Sequence, residues 1–302
     1  MVVAEPALAV RDLAKDTPTG TPSRRPQSSG MKRYPANPGE VPASFWRHRE
    51  LILQLAKRDV IGRYRGSALG MLWSFAQPLL MLAIYTLVFG VIFKARWSGG
   101  GESRAEFALV LFSGLLVFNI FAECVNRAPR LILDNANYVK KVVFPLEVLP
   151  WVPMASSLFH AAVNFAVWLL FYFFVLGVPP ATILLLPIVI VDMVLLTIGM
   201  SWFLASLGVY VRDIAQLIGI VVSALMFLSP IFYPVSAIPE AYRFLFYSNP
   251  LTFVIEQTRD LLIWGRTPAL WPTLWFLVLC GGIAWLGFAW FQKTRRGFAD
   301  VL

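Results

Sequence analysis

Charge is scarce in this chain. Asp, Glu, Lys and Arg make up 14% of its 302 residues, against about 25% in a soluble domain. With 58% of residues hydrophobic, no single soluble core could hide so much apolar surface. Cysteine is nearly absent. Cys124 and Cys280 lie in or beside apolar runs and give neither a disulfide framework nor a zinc site, so both read as small buried hydrophobes. No metal site is expected. The dipeptide Gly-Lys occurs nowhere, which excludes a phosphate-cradling P-loop. The chain is read as a non-enzyme that binds no cofactor itself; if ATP drives it, the nucleotide and its Mg would sit on another subunit. The first 40 residues lack the apolar core of a cleavable signal. Thr17–Gln27 is rich in Pro, Thr, Ser and Arg, so residues 1–40 read as a disordered cytoplasmic tail.

What the chain does have is six long apolar runs, roughly 69–93, 106–126, 148–177, 181–209, 214–232 and 269–291. Each is near or above the ~20 residues that cross a bilayer core. The expectation is an all-α integral membrane protein with six spans. Gly177 to Pro180 makes a tight turn between the third and fourth. The net charge of +9 collects at the ends of the runs rather than along one stripe, which points to membrane lipid and away from nucleic acid. With the N-terminus inside, 20 of the 26 Lys and Arg fall on the inner side, so both termini read as cytoplasmic. The domain plan is a tail over 1–40, an amphipathic interface helix over 41–66, a six-span body over 67–292 and a short tail over 293–302.

On a helix over 45–60, Phe45, Trp46, Ile52, Leu53, Ala56 and Val60 share one side, and Arg47, Glu50, Gln54, Lys57 and Arg58 the other. A basic amphipathic helix suits a membrane surface; a plain juxtamembrane anchor is the simpler reading. Gly66 and Gly70 permit a sharp bend into the first span. Further on, Leu131 to Asn135 suits one short helix within the inner loop 127–146. Residues 233–268 include Pro234, Pro239 and Pro250 and show helical spacing, which suggests two short helices broken near Asn249-Pro250 that dip into the outer leaflet. Such backbone must pack on protein or line a wet cavity; an ordinary outer loop is the alternative. Inside the spans, Asp192, the pair His160 and Asn164, and the set Asn119, Glu123 and Asn126 are functional candidates because burying them in lipid is costly. Helix-to-helix hydrogen bonding is the competing reading for Asp192, His160 and Asn164. Met81, Tyr85, Phe89 and Phe93 form a stripe at fourfold spacing, either packing or a greasy sugar path.

The run Arg63-Tyr64-Arg65-Gly66-Ser67-Ala68-Leu69-Gly70-Met71-Leu72-Trp73 with Gln77-Pro78-Leu79-Leu80 resembles the signature of polysaccharide-exporting ABC transporter permeases. The resemblance continues through Asn135 to Pro145, Tyr210-Val211-Arg212-Asp213-Ile214 and Asn249-Pro250-Leu251-Thr252 with Glu256 and Arg259-Asp260. It covers residues 44–292. It implies a membrane subunit in the bacterial inner membrane that moves a lipid-linked polysaccharide through a channel between two copies, driven by two ATPase subunits docked below.

Residue by residue, the resemblance makes Arg130, Leu131, Asp134, Asn135, Asn137, Lys140 and Lys141 the ATPase-coupling loop, with Arg212 and Asp213 beside it. Arg63, Tyr64, Arg65, Gly66, Ser67 and Gly70 become the point of substrate access, where guanidinium groups suit phosphate. Trp73, Gln77, Met81, Tyr85, Phe89 and Phe93 would line the channel. Tyr233, Asn249, Pro250, Glu256 and Arg259 would form an outer gate. A drug- or lipid-exporting ABC permease is the nearest alternative. A proton-coupled secondary transporter is the more distant one, and it would show internal repeats that this sequence does not.

Overall fold

A computed structural model of the chain describes residues 36–88, 104–139 and 144–301. Every regular element among them is helical. In order these are α1 (Glu40–Arg47), α2 (Arg49–Tyr64), α3 (Trp73–Tyr85), α4 (Arg104–Arg127), α5 (Ala136–Val139), α6 (Trp151–Leu176), α7 (Leu186–Tyr210), α8 (Ile214–Phe227), α9 (Glu240–Tyr247), α10 (Pro250–Arg259), α11 (Leu270–Thr294) and α12 (Phe298–Val301). The N-terminal tail expected over 1–40 lies almost wholly outside the described residues.

Five helical stretches are long and apolar enough to cross a membrane: Gly70–Val88, Ala105–Arg130, Leu146–Leu176, Ala181–Tyr210 and Leu270–Val301. The run at 214–232 yields only the 14 residues of α8. At 1.5 Å per residue that is about 21 Å, short of the ~30 Å hydrocarbon core. The sequence explains the stop. Pro230 disfavours helix in the residue before it, and Pro234 and Pro239 keep the chain extended at their own positions.

α4 is the most buried of the five stretches and α3 the least. α4 packs against α3, α6, α7, α8 and α10. Cys124 on α4 and Cys280 on α11 are buried and unbridged. α7 and α11 pair through two glycines. A Cβ on Gly287 would stand 2.1 Å from the Gly199 carbonyl oxygen, so only hydrogen fits there. Small residues let membrane helices approach this closely, and dispersion between the two backbones follows.

Two local expectations change. The surface helix is not continuous over 45–60. It breaks at His48 (φ −110°, ψ 14°), whose ring Nδ1 sits 3.0 Å from the Ser44 carbonyl, so one helical wheel does not describe both halves. Ile52, Ala56 and Val60 of α2 are buried, at four-residue spacing, on the side that meets α6. Trp46 and Leu53, assigned to the same side, are exposed. In the inner loop, residues 131–135 form turns rather than a helix, and the helical turn is α5. The Asn135 amide donates to the Leu131 carbonyl at 2.8 Å, a side-chain bond that competes with the helical ladder. The break expected near Asn249-Pro250 is present. α9 ends at Tyr247, and Pro250 opens α10 at the position where a missing N–H costs nothing.

Overpacking a close contact costs about 1–3 kcal/mol. Gly287→Leu is therefore expected to lower the melting temperature of the detergent-solubilised chain, read by size exclusion after heating. Gly281→Leu, on the same helix with open space beside it, is expected to melt like the wild type.

Candidate functional site

α4 is buried almost throughout, yet Asn119, Asn126 and, one turn past its end, Arg130 are exposed, with Glu123 half-buried between them. The spacing of three to four residues makes one polar stripe along a helix face. α6 presents His160 and Asn164 one turn apart, and α3 presents Gln77, Met81 and Tyr85. With Arg63 and Tyr64 at the end of α2, these side chains enclose a cavity of about 370 Å³. Four segments far apart in sequence thus meet at one polar space.

The charges in and beside this cavity are paired. Arg63 donates to Glu123 in a short hydrogen-bonded ion pair. Arg127 lies 3.5 Å from the same carboxylate, and its guanidinium makes a two-pronged contact to Asp59, Nη2 to Oδ1 at 2.6 Å and Nη1 to Oδ2 at 2.9 Å. Such planar forks are among the stronger ion pairs. Burial pushes the Asp59 carboxyl up, but the hydrogen bonds and positive charge of Arg127, with Arg63 nearby, outweigh it and hold the group below the usual aspartate range. His160 faces Glu123 at 3.8 Å and meets the Tyr64 ring edge-on at 6.0 Å. Neither of its ring nitrogens has a hydrogen-bond partner among the described residues. Asp192 on α7 is fully buried, and its carboxylate has no hydrogen bond among the described residues. The helix pairing expected for it is not seen there.

Residues 50–263 match the ABC-2 type transporter family. The chain belongs to that family. It is 26% identical over 265 residues to the O-antigen export system permease protein RfbA of Myxococcus xanthus, covering 85% of this chain and 97% of that one. It is 27% identical over 256 residues to the protein of the same name from Klebsiella pneumoniae, covering 84% and 95%. The polysialic acid transport protein KpsM of Escherichia coli is 25% identical over 211 residues, covering 69% and 79%.

In this ABC-2 chain the bend between α2 and α3 forms at Gly66 (φ 84°) and Gly70 (φ 51°), backbone angles that glycine adopts at no steric cost. Arg65 at the bend is exposed and makes no ion pair among the described residues, whereas Arg63 is committed to Glu123. The Ser67 hydroxyl donates to the Tyr64 carbonyl at 3.1 Å. Trp73 is exposed, while Gln77, Met81 and Tyr85 border the polar cavity. Phe89 and Phe93 lie outside the described residues.

Of the residues expected to couple to an ATPase, Arg130, Asp134 and Asn137 are exposed, as are Arg212 and Asp213; Leu131 is buried. Asn135 and Leu131 border a second cavity of about 380 Å³ beneath α2, next to Asp59 and Arg127. Lys140 and Lys141 lie outside the described residues.

Three of the residues named for an outer gate are fastened to neighbouring backbone and side chains. Arg259 is buried and donates to the backbone carbonyls of Val110 at 3.2 Å, Ile231 at 2.7 Å and Pro230. It thereby ties α10 to α4 and to the chain after α8. The Asn249 side chain caps α10 by accepting from the Leu251 N–H at 3.0 Å and donates to Ser229 Oγ at 2.9 Å. The Tyr233 hydroxyl donates to the Phe227 carbonyl. Glu256 is half-buried on α10.

Sequence reasoning did not single out Asp59. The available signal was its isolation, with Glu50, as an acid in a stretch dominated by Lys and Arg. Its partner lies 68 residues away, which periodicity does not show.

Asp59 and Arg127 are both partly exposed, so their pair is worth about 1 kcal/mol or less. Asp59→Arg is expected to lower the melting temperature by a few degrees and Asp59→Arg with Arg127→Asp to recover part of the loss. Because the folded-state pKa is depressed, the stabilisation is present above the unfolded value of 3.8 and lost as pH falls through the folded value. The gap between wild type and Asp59→Asn in a melting series should therefore close only in strong acid.

Proposed function

We propose that this chain is the membrane permease subunit of an ATP-driven exporter of a lipid-linked polysaccharide. The observation that carries the reading is the match, over nearly the whole length of the relatives, to permeases named for O-antigen export. The polar stripe on an otherwise buried central helix agrees with it, because hydrophilic side chains at membrane depth mark a path for polar cargo. KpsM, named for polysialic acid transport, and CtrC of Neisseria meningitidis, named for capsule polysaccharide export, extend the likeness to other glycans.

In this reading the protein sits in the bacterial inner membrane with both termini cytoplasmic. α8 and the irregular chain after it make the sixth crossing, with α9 and α10 on the outer side. Two copies enclose the channel. α3 and α8 suit that seam because both expose large apolar side chains, Leu79, Leu80, Leu217 and Ile220 among them. Two ATPase subunits, carrying ATP and Mg, dock on Arg130, Asp134, Asn137, Arg212 and Asp213. Arg127 sits directly before that docking loop and grips Asp59, so movement there reaches α2 and the bend.

Arg63 is consumed by Glu123, which leaves Arg65 as the guanidinium for the lipid phosphate. Arg65→Ala is expected to reduce surface polysaccharide severalfold in cells making normal amounts of the protein. Arg65→Lys, which keeps the charge but not the fork, should retain part of it. Unchanged surface polysaccharide in Arg65→Ala would remove the phosphate role.

A further inference from the structure

We propose that the cavity between α3, α4 and α6 binds one uncharged sugar ring, the membrane-proximal unit of the lipid-linked chain. The proposal rests on the exporter reading and adds to it a site and a ligand class.

Four carboxamides face this cavity: Gln77, Asn119, Asn126 and Asn164. None makes a hydrogen bond to a described residue. Each amide offers two donors and two acceptor lone pairs, so the walls carry both kinds in similar number. Gln77, Asn119 and Asn126 are exposed and Asn164 is half-buried, so on converging helix faces all four are open to a ligand. Sugar hydroxyls are their chemical match, because each hydroxyl both donates and accepts.

The charge distribution selects against an ion. Arg63 and Glu123, the two charged residues on the cavity wall, already neutralise each other. An anion entering the cavity would meet a guanidinium that already has its counter-charge, and a cation would meet a carboxylate in the same condition. An anion must compete with Glu123 for Arg63, and a cation must compete with both Arg63 and Arg127, 3.5 Å away, for Glu123. A neutral ligand avoids this. The rings of Tyr64 and Tyr85 border the same space and give flat apolar faces on which the C–H side of a sugar can lie.

Size and position agree. About 370 Å³ is near the lower end of small-molecule sites, room for one ring rather than a chain. Arg63 and Tyr64 line the cavity, and Arg65 follows them at the bend. A lipid diphosphate held at Arg65 therefore places its first sugar at the mouth of the cavity.

The test is equilibrium binding to the purified full-length chain in lipid nanodiscs. Three radiolabelled probes are compared: a polyisoprenyl diphosphate with no sugar, the same lipid carrying one hexose, and the same lipid carrying one N-acetylhexosamine. The expected result is at least tenfold tighter binding of one sugar-bearing lipid than of the bare lipid. Asn164→Leu and Gln77→Leu should each abolish that preference and leave the bare lipid's affinity unchanged. Gln77 lies on the exposed helix α3, so its replacement leaves core packing intact even if Asn164→Leu fails to fold. Equal binding of all three probes by the wild type overturns the sugar site, makes the cavity a hydrated space only, and leaves the exporter reading standing. Retention of the preference in Gln77→Leu also overturns it. Binding of none of the three contradicts the exporter reading, and the sugar site falls with it.

Discussion

A helix buried within a membrane must find partners for its polar groups inside the protein, and α4 is where this constraint is most demanding. Its backbone and side chains are met from several directions. Trp168 of α6 donates its indole N–H to the Leu109 carbonyl at 3.0 Å, and Arg259 of α10 reaches the neighbouring Val110 carbonyl. At the other end, Glu123 and Arg127 are held by Arg63 and Asp59 of α2. The helix is thus pinned near both ends by side chains of α2, α6 and α10. Between the pins lies the face carrying Asn119 and Asn126, which has no such partners and opens on the polar cavity.

This arrangement joins the parts that a transport cycle has to move. The chain leaves α4 directly into the turn at Ala128–Arg130 and the exposed inner loop. α2 runs directly into the glycine bend that leads to α3. The two are linked by ion pairs rather than by a broad apolar interface. Ion pairs with partial exposure are individually weak, so the firmer hold on α2 is the apolar face, Ile52, Ala56 and Val60, that it buries on the side of α6. By contrast, α7 and α11 touch backbone to backbone at Gly199 and Gly287 and form a rigid half of the bundle.

Much of this was legible in the sequence because bilayer thickness imposes a length on apolar runs, and the runs at 106–126, 148–177, 181–209 and 269–291 became long helices. The run at 214–232 formed a shorter helix than its hydropathy suggests, because hydropathy does not register Pro230. The surface stretch misled because a single helical period was laid across His48, where the backbone turns. Asn119, Glu123, Asn126, His160 and Asn164 could be flagged one helix at a time by their cost in lipid, but their convergence on one cavity is tertiary. Asp59 escaped notice because an exposed-looking acid among Lys and Arg gives no hint of a partner 68 residues later. Family resemblance supplied expectations that periodicity could not, namely roles for the inner loop and for the bend.

The central claim is that this chain carries a lipid-linked polysaccharide outward across the inner membrane. It is tested most directly by deleting the chain and measuring where the glycan accumulates. The account predicts that surface polysaccharide disappears, that lipid-linked polysaccharide builds up on the cytoplasmic side, protected from a glycosidase added to intact spheroplasts, and that the wild-type chain restores export. Normal surface polysaccharide in the deletion strain, or accumulated glycan that the external enzyme digests, would contradict it.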